Sequence, residues 1–131
     1  MLDANIIISA IHIPDSNIGK MVSYIENNHT IVLCQYIIDE IKFGFQKKMP
    51  HKANQMLKEI ERLPFEMYVL KKINESLSSM IRDKNDIEVL ANVIESDVDI
   101  FITGDNDFHC INLSKPKILR PRQFIEEFIK T

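Results

Sequence analysis

Short, β-branched apolar segments alternate along this chain with longer segments that carry apolar residues at helical spacing. Residues 30–34 (TIVLC), 65–70 (FEMYVL) and 99–103 (DIFIT) have the composition of buried parallel strands, and residues 117–119 (KIL) that of a short edge strand. Strands that alternate with helices favour a mainly parallel sheet with helices on both faces. The alternation therefore predicts an α/β fold, a three-layer α/β/α sandwich.

Four further stretches repeat their apolar residues every three to four positions, as amphipathic helices do. Their apolar positions are Ala53, Met56, Leu57, Ile60 and Leu63; Ile73, Leu77, Met80 and Ile81; Ile87, Leu90, Ala91 and Ile94; and Phe124, Ile125, Phe128 and Ile129. The last stretch, PRQFIEEFIK (121–130), also begins with the proline that helix starts favour. We predict a helix over each stretch.

The composition fits a single globular domain over residues 1–131. Hydrophobic residues make up 45% of the chain, which is enough for a core. The formal net charge of −3 gives no general nucleic-acid-binding signature. Any contact with RNA therefore has to use a local basic patch or a cation that bridges to phosphate.

Two isolated cysteines, Cys34 and Cys110, form neither a CxxC pair nor a Cys/His cluster. We expect both to be buried thiols in a reducing compartment. The sequence has no signal peptide with a basic lead, and no apolar run of the roughly 20 residues that span a bilayer. The expected location is cytoplasmic.

Acidic residues stand where predicted strands end or predicted helices begin: Asp3, Glu40, Asp86, Asp105 and Asp107. Parallel sheets bind ligands at the carboxyl ends of their strands, where Asp3 and the turn after residue 103 are expected to lie. Carboxylates that converge in a small volume need either cations or protons to offset their repulsion. Oxygen ligands of this kind suit Mg²⁺ or Mn²⁺, so the pattern predicts a divalent-metal phosphodiesterase site.

Each acidic residue also has a purely structural interpretation. Asp3 and Asp86 both precede helical stripes and can act as N-caps, and Asp83 is a weaker candidate ligand. Helical phase separates Glu40, at the edge of the buried stripe that contains Ile37, from its solvent-facing neighbour Asp39.

The turn after residue 103 holds two acids that turn chemistry alone explains only in part. We favour Asp105 as the closer ligand and Asp107 as the second choice. Thr103 has a hydroxyl that can hold a water or a phosphate, although a strand threonine more often only packs. His109 is expected to be an ordinary surface residue.

The chain resembles the PIN-domain nucleases, and among them the small VapC-like toxins of prokaryotic toxin–antitoxin pairs. The resemblance is carried by DANIIISAI (3–11), YIIDEI (36–41), RDKNDIEVLANVIESDVDIFITGDNDF (82–108) and ILRPRQFIEEF (118–128). The third segment is the most specific of the four. The chain departs from the family in its short first strand before Asp3 and in Lys84, where many relatives carry proline.

The resemblance implies a Rossmann-like fold and a catalytic quartet of Asp3, Glu40, Asp86 and Asp105, with Asp107 often part of the cluster. It further implies Mg²⁺ or Mn²⁺ dependence, cleavage of single-stranded RNA by an endoribonuclease, homodimers and a cognate antitoxin protein.

In the predicted chemistry, a water activated by metal hydrolyses a phosphodiester bond. The expected metal ligands are Asp3, Asp86, Asp105 and Asp107. Glu40 is expected to act through water, either by ordering solvent or as a general base. The RNA backbone is expected to approach along basic residues, namely Lys42, Lys47, Lys48, Arg82 and Lys84.

Other classes fit the sequence less well. A haloacid-dehalogenase-type phosphatase needs a second aspartate at the position of Asn5. A phospho-receiver domain needs paired acids at the first strand and an aspartate after the third, which FEMYVL (65–70) lacks. The remaining alternative is a catalytically silent PIN-fold scaffold that binds metal or RNA without cutting it.

Overall fold

The computed structural model describes residues 1–129, in which seven α-helices and four short strands follow one another along the chain. The helices are α1 (Ala4–His12), α2 (Asn17–Asn28), α3 (Gln35–Lys48), α4 (Ala53–Arg62), α5 (Ile87–Glu95), α6 (Asn106–His109) and α7 (Pro121–Phe128). The strands are β1 (Val32–Cys34), β2 (Glu66–Tyr68), β3 (Ile100–Ile102) and β4 (Lys117–Leu119). Two 3₁₀ helices, Glu75–Ser79 and Lys84–Asp86, precede α5.

All strand pairs in residues 1–129 are parallel. β1 pairs with β2, and β3 pairs with β4. The strand that the sequence predicts before Asp3 is reduced to one bridge between Leu2 and Ile102. This bridge places Asp3 beside the carboxyl end of β3. This arrangement confirms the predicted α/β fold and agrees with the short first strand that the sequence predicts.

The core lies around the carboxyl-end halves of β1 and β3, where Leu33 and Phe101 are fully buried. The apolar stripe of α3 packs against α1. Gly44 lets the two helices approach closely, because a Cβ atom at this position would lie 2.6 Å from Cδ1 of Ile8. The close approach brings the middle of α3 towards Asp3.

The helices predicted around residues 53–63, 87–94 and 121–130 are confirmed as α4, α5 and α7. Pro121 occupies the first turn of α7, and Phe124 is its buried anchor. Lys130, the last residue of the predicted stretch, lies outside the described residues. Within the described residues, no helix is both long enough and apolar enough to cross a lipid bilayer.

The prediction of a helix over the stripe from Ile73 to Ile81 is wrong. This part of the chain forms only the 3₁₀ helix Glu75–Ser79, and Ile73 and Met80 are exposed. The Glu95 carboxylate accepts hydrogen bonds from the backbone N–H of Lys71 (2.9 Å) and from the Tyr68 hydroxyl (2.5 Å). These bonds tie the chain just after β2 to the last residue of α5.

Two expectations about burial are also wrong. β2 is an edge strand that pairs only with β1, so Met67 is exposed, and Val69 just after the strand is 73% exposed. Cys34 is buried as expected, whereas Cys110 lies exposed in the turn after α6.

Candidate functional site

Asp3 is held by two hydrogen bonds between the end of the first bridge and the start of α1. Its Oδ1 accepts from the backbone N–H of Ala4 (2.8 Å), which makes it the N-cap of α1, and its Oδ2 accepts from the Thr103 hydroxyl (2.6 Å). Burial is the main cause that raises the pKa of Asp3, and the nearby Asp105 raises it further. The capping bond involves only one of the two carboxylate oxygens of Asp3.

Thr103 connects two of the predicted acidic residues across 100 positions of sequence. Its side chain is fully buried after β3, and its hydroxyl donates to Asp3 while it accepts from the backbone N–H of Asp105 (3.1 Å). The interpretation of Thr103 as a packing residue is therefore incomplete. In the sequence, its position directly after an apolar strand and before an acidic turn is the signal that indicates this linking role.

The turn from Gly104 to Asp107 is fixed by several side chains. Asp105 accepts from the backbone N–H of Asp107 (2.9 Å) and so caps α6. Arg120 donates to the Gly104 carbonyl (3.1 Å) and to Asn106 (2.5 Å). His109 is not an ordinary surface residue, because its Nε2 lies 2.7 Å from the Thr103 carbonyl oxygen and braces the same turn.

Asp86 stands at the start of α5, yet its carboxylate makes no capping hydrogen bond. Asp83 performs the local capping instead, by accepting from the backbone N–H of Asn85 (2.9 Å). Partial burial, followed by repulsion from Asp105, raises the pKa of Asp86 from 3.8 to about 6. Asp86 is therefore free of a local structural role and faces the acidic turn.

Carboxylate oxygens of Asp86, Asp105 and Asp107 all lie within 4.8 Å of one another. Arg82 donates to Asp107 (3.0 Å) and offsets part of the local charge, although its own side chain is largely exposed. Hard oxygen donors at this spacing fit the requirements of Mg²⁺ or Mn²⁺.

Glu40 extends from α3 towards the same group of acids. Partial desolvation of its carboxyl group is the largest cause that raises its pKa from 4.5 to about 7, followed by repulsion from Asp3, Asp86 and Asp105. The neighbouring Asp39 accepts instead from the Gln35 side chain (2.8 Å) on the exposed side of the helix. The two neighbours therefore differ in their partners, although both side chains line the same cleft.

The four acids of the predicted quartet, Asp3, Glu40, Asp86 and Asp105, line one open cleft of about 780 Å³. Lys47 and Lys48 line it as well. Of the other basic residues predicted to guide RNA, Arg82 is engaged with Asp107, and Lys42 and Lys84 are exposed outside the cleft lining.

Residues 1–107 match the sequence profile of the PIN domain. Among solved structures, the chain is similar to one in the crystal structure of VapBC2 from Rickettsia felis bound to a DNA fragment from their promoter. The similarity covers 92% of this chain and 96% of that chain, with a TM-score of 0.70 and 18% sequence identity. At this identity the shared property is the fold, and the predicted PIN-like architecture is confirmed. No curated protein matches the sequence.

The hydroxyl of Thr103 is expected to be needed for stability. Thr103→Val keeps the shape of the side chain but leaves Asp3 and the Asp105 N–H without their partner, so the free energy of unfolding should fall by about 1.5–3 kcal/mol. Thr103→Ser keeps the hydroxyl and loses one buried methyl group, which costs about 0.8 kcal/mol. Urea unfolding measures both, and a valine variant at least as stable as the serine variant would contradict the assigned role.

The raised pKa values make a further prediction about pH. Glu40 and Asp86 have ordinary pKa values of 4.5 and 3.8 and folded values of about 7 and about 6, so the folded protein binds more protons than the unfolded chain between these limits. Without metal, these two carboxyl groups should therefore lower the free energy of unfolding as pH rises through that window, whereas the buried amino group of Met1, whose pKa is lowered from 8.0 to about 5, should raise it above about pH 5.

Urea unfolding in EDTA at a series of pH values measures this dependence. Glu40→Gln should make the slope of the free energy of unfolding against pH less negative, whereas the control Asp39→Asn should leave this slope unchanged. If stability instead rises with pH across the window and Glu40→Gln leaves the curve unaltered, the acids do not repel one another as described.

Proposed function

The chain belongs to the PIN-domain family, and from that membership and the acidic cleft we propose that it is a Mg²⁺- or Mn²⁺-dependent endoribonuclease that acts on single-stranded RNA. The single observation that carries the proposal is the convergence of Asp3, Glu40, Asp86 and Asp105 on one cleft. Burial and repulsion from neighbouring acids raise the pKa values of Asp3, Glu40 and Asp86, which is costly unless these acids serve a positively charged ligand.

Asp3, Asp86 and Asp105 are proposed to hold the cation, with Asp107 as an additional ligand. A bound Mg²⁺ or Mn²⁺ would supply positive charge against the phosphate and acidify the attacking water. Thr103 would act as a positioning residue, because its hydroxyl fixes the Asp3 carboxylate and the start of the Asp105 turn relative to each other.

Glu40 is proposed to accept the proton of the attacking water. Burial, the largest cause that raises its pKa, also acts when a cation is bound, so the pKa of Glu40 stays above its ordinary value and nearer to the neutral pH at which a general base works best. Asp3 and Glu40 both lie outside the trio whose oxygens are within 4.8 Å of one another, but Asp3 is tied to Asp105 through the Thr103 hydroxyl, whereas Glu40 stands on α3.

We further propose that the protein is the toxin of a toxin–antitoxin pair, with an antitoxin protein as its partner and a homodimer as its assembly. The similarity in fold to a chain of VapBC2 supports this proposal. So does the exposed apolar surface at the edge strand β2, where Met67 is 43% and Val69 is 73% exposed. Exposed apolar side chains beside an unpaired strand edge are suited to contact with another protein chain.

The matched pair Glu40 and Asp39 provides the direct test of the proposed reaction. With single-stranded RNA and Mn²⁺, Asp3→Asn and Glu40→Gln should each lower the cleavage rate by at least about 100-fold, the lower end of what a positioned acid–base group contributes. Asp39→Asn should cleave at nearly the wild-type rate, and EDTA should abolish cleavage by every variant.

Circular dichroism of each variant provides the folding control. Folded Asp3→Asn and Glu40→Gln proteins that still cleave at the wild-type rate would contradict the proposal. Metal-dependent RNA binding by the wild type without any cleavage would instead identify a catalytically silent scaffold.

A further inference from the structure

Phe43 is an exposed aromatic side chain on the wall of the acidic cleft. It lies on α3, 67% of its surface is exposed, and it is the single aromatic among the large exposed hydrophobic residues of the described chain. Burying a phenylalanine would stabilise a protein by about 1.5–3 kcal/mol, so the fold gains little from this placement. Single exposed apolar residues are common, so the feature that distinguishes Phe43 is its place in the wall of the acidic cleft.

Helical spacing aligns Phe43 with both ends of the cleft. Glu40 precedes it by three residues and Lys47 follows it by four, so the three side chains form one ridge along α3. All three line the same cleft, and Lys48 lies beside Lys47 in its wall. The ridge thus presents a carboxylate, an aromatic ring and a cation in sequence.

The basic end of the ridge is separate from the acidic end. Lys47 and Glu40 are seven residues apart, which is about 10 Å along the helix axis. The Nζ atom of Lys47 lies 5.9 Å from the centroid of the Phe43 ring. A strand that extends from the acids along α3 would therefore bring a further phosphate to Lys47.

We propose that Phe43 is a stacking platform for an unpaired base of the nucleic acid, and that Lys47 and Lys48 bind the phosphate beyond it. The inference rests on the proposed function and names the feature that would select single-stranded substrate. Aromatic faces and lysines together are the usual means of holding a single strand without reading its sequence. Bases in a duplex are already stacked on their neighbours, so they would not reach the ring.

The lysines distinguish this ligand from a protein partner. An apolar protein surface would cover Phe43 equally well, but it would offer no negative charge to Lys47 and Lys48 beside it. A strand of nucleic acid supplies both a flat base for the ring and a negative phosphate for the lysines. The continuity of Phe43 with the acidic cleft further favours a ligand that extends from the reacting phosphate.

The first test measures the affinity for a short single-stranded RNA in EDTA, where no cleavage takes place. Phe43→Ala should weaken binding by about 5- to 150-fold, which corresponds to about 1–3 kcal/mol for one stacked base. Phe43→Tyr should bind like the wild type. The matched control is Ile13→Ala, which truncates another exposed apolar side chain, 53% exposed and outside the cleft, and should not change the affinity.

In cleavage assays with Mn²⁺, Phe43→Ala should raise KM and leave kcat nearly unchanged, because a stacked base is bound equally in the ground state and the transition state. Binding of the duplex form of the same RNA should be weak and should not respond to the substitution. An alanine variant that binds single-stranded RNA as tightly as the wild type would overturn the inference.

A second test uses the absence of tryptophan from the chain. In Phe43→Trp the new side chain is the sole indole, so its emission should be quenched in a saturable manner when the single-stranded RNA is added. Emission that does not change while RNA is bound would overturn the inference. So would an alanine variant that alters the sedimentation mass of the protein but not its RNA affinity.

Failure of this inference and failure of the proposed function give different results. If the wild type cleaves RNA, Asp3→Asn is inactive and Phe43→Ala has a normal KM, the stacking platform alone is wrong. If the wild type neither binds nor cleaves single-stranded RNA with Mn²⁺ present, the proposed function is wrong and the platform with it.

Discussion

The repulsion between carboxylates at the carboxyl edge of the sheet is the interaction on which the account of this protein depends. Oxygens of Asp86, Asp105 and Asp107 lie within 4.8 Å of one another. At an effective dielectric of about 20, two such charges repel by on the order of 3 kcal/mol before protons or cations relieve them. Part of the arrangement is fixed by the Thr103 hydroxyl, which donates to Asp3 and accepts from the backbone N–H of Asp105.

The packing of α3 against α1 gives the cleft its second wall. Gly44 permits the close approach, and the same helix then carries Glu40 towards the acids and Phe43 and Lys47 along the opening. One helix thus presents a proposed general base and a proposed platform for the substrate. The buried stripe of α3, with Ile37 and Ile41 fully enclosed, sets the rotation that makes this possible.

The four strands, the helices α4, α5 and α7 and the positions of the acidic residues at element ends were predictable from the sequence, because apolar periodicity and element boundaries are local patterns. The catalytic role of these acids stays a prediction. The partner of Thr103 was not predictable, since an apolar strand pattern reports burial and not a bond across 100 residues. For Asp86, the sequence left capping and ligand roles open. In the structure its carboxylate makes no capping bond, and Asp83 caps the 3₁₀ helix that precedes α5. The stripe that contains Ile73 has helical spacing, but this spacing does not report that the backbone N–H of Lys71, just before the stripe, donates to the Glu95 carboxylate.

The most direct test of the central claim is the thermal melting of wild type and Asp105→Asn, each in EDTA and with Mn²⁺. Asparagine can still cap α6 through its side-chain oxygen, so the substitution removes the charge while keeping the turn. The account predicts that the metal-free variant melts at a higher temperature than metal-free wild type. It also predicts a smaller upward shift with Mn²⁺, where wild type should gain about 2.7 kcal/mol at a free ion concentration about 100 times the dissociation constant. A variant that is no more stable without metal and responds to Mn²⁺ like wild type would contradict the converging site.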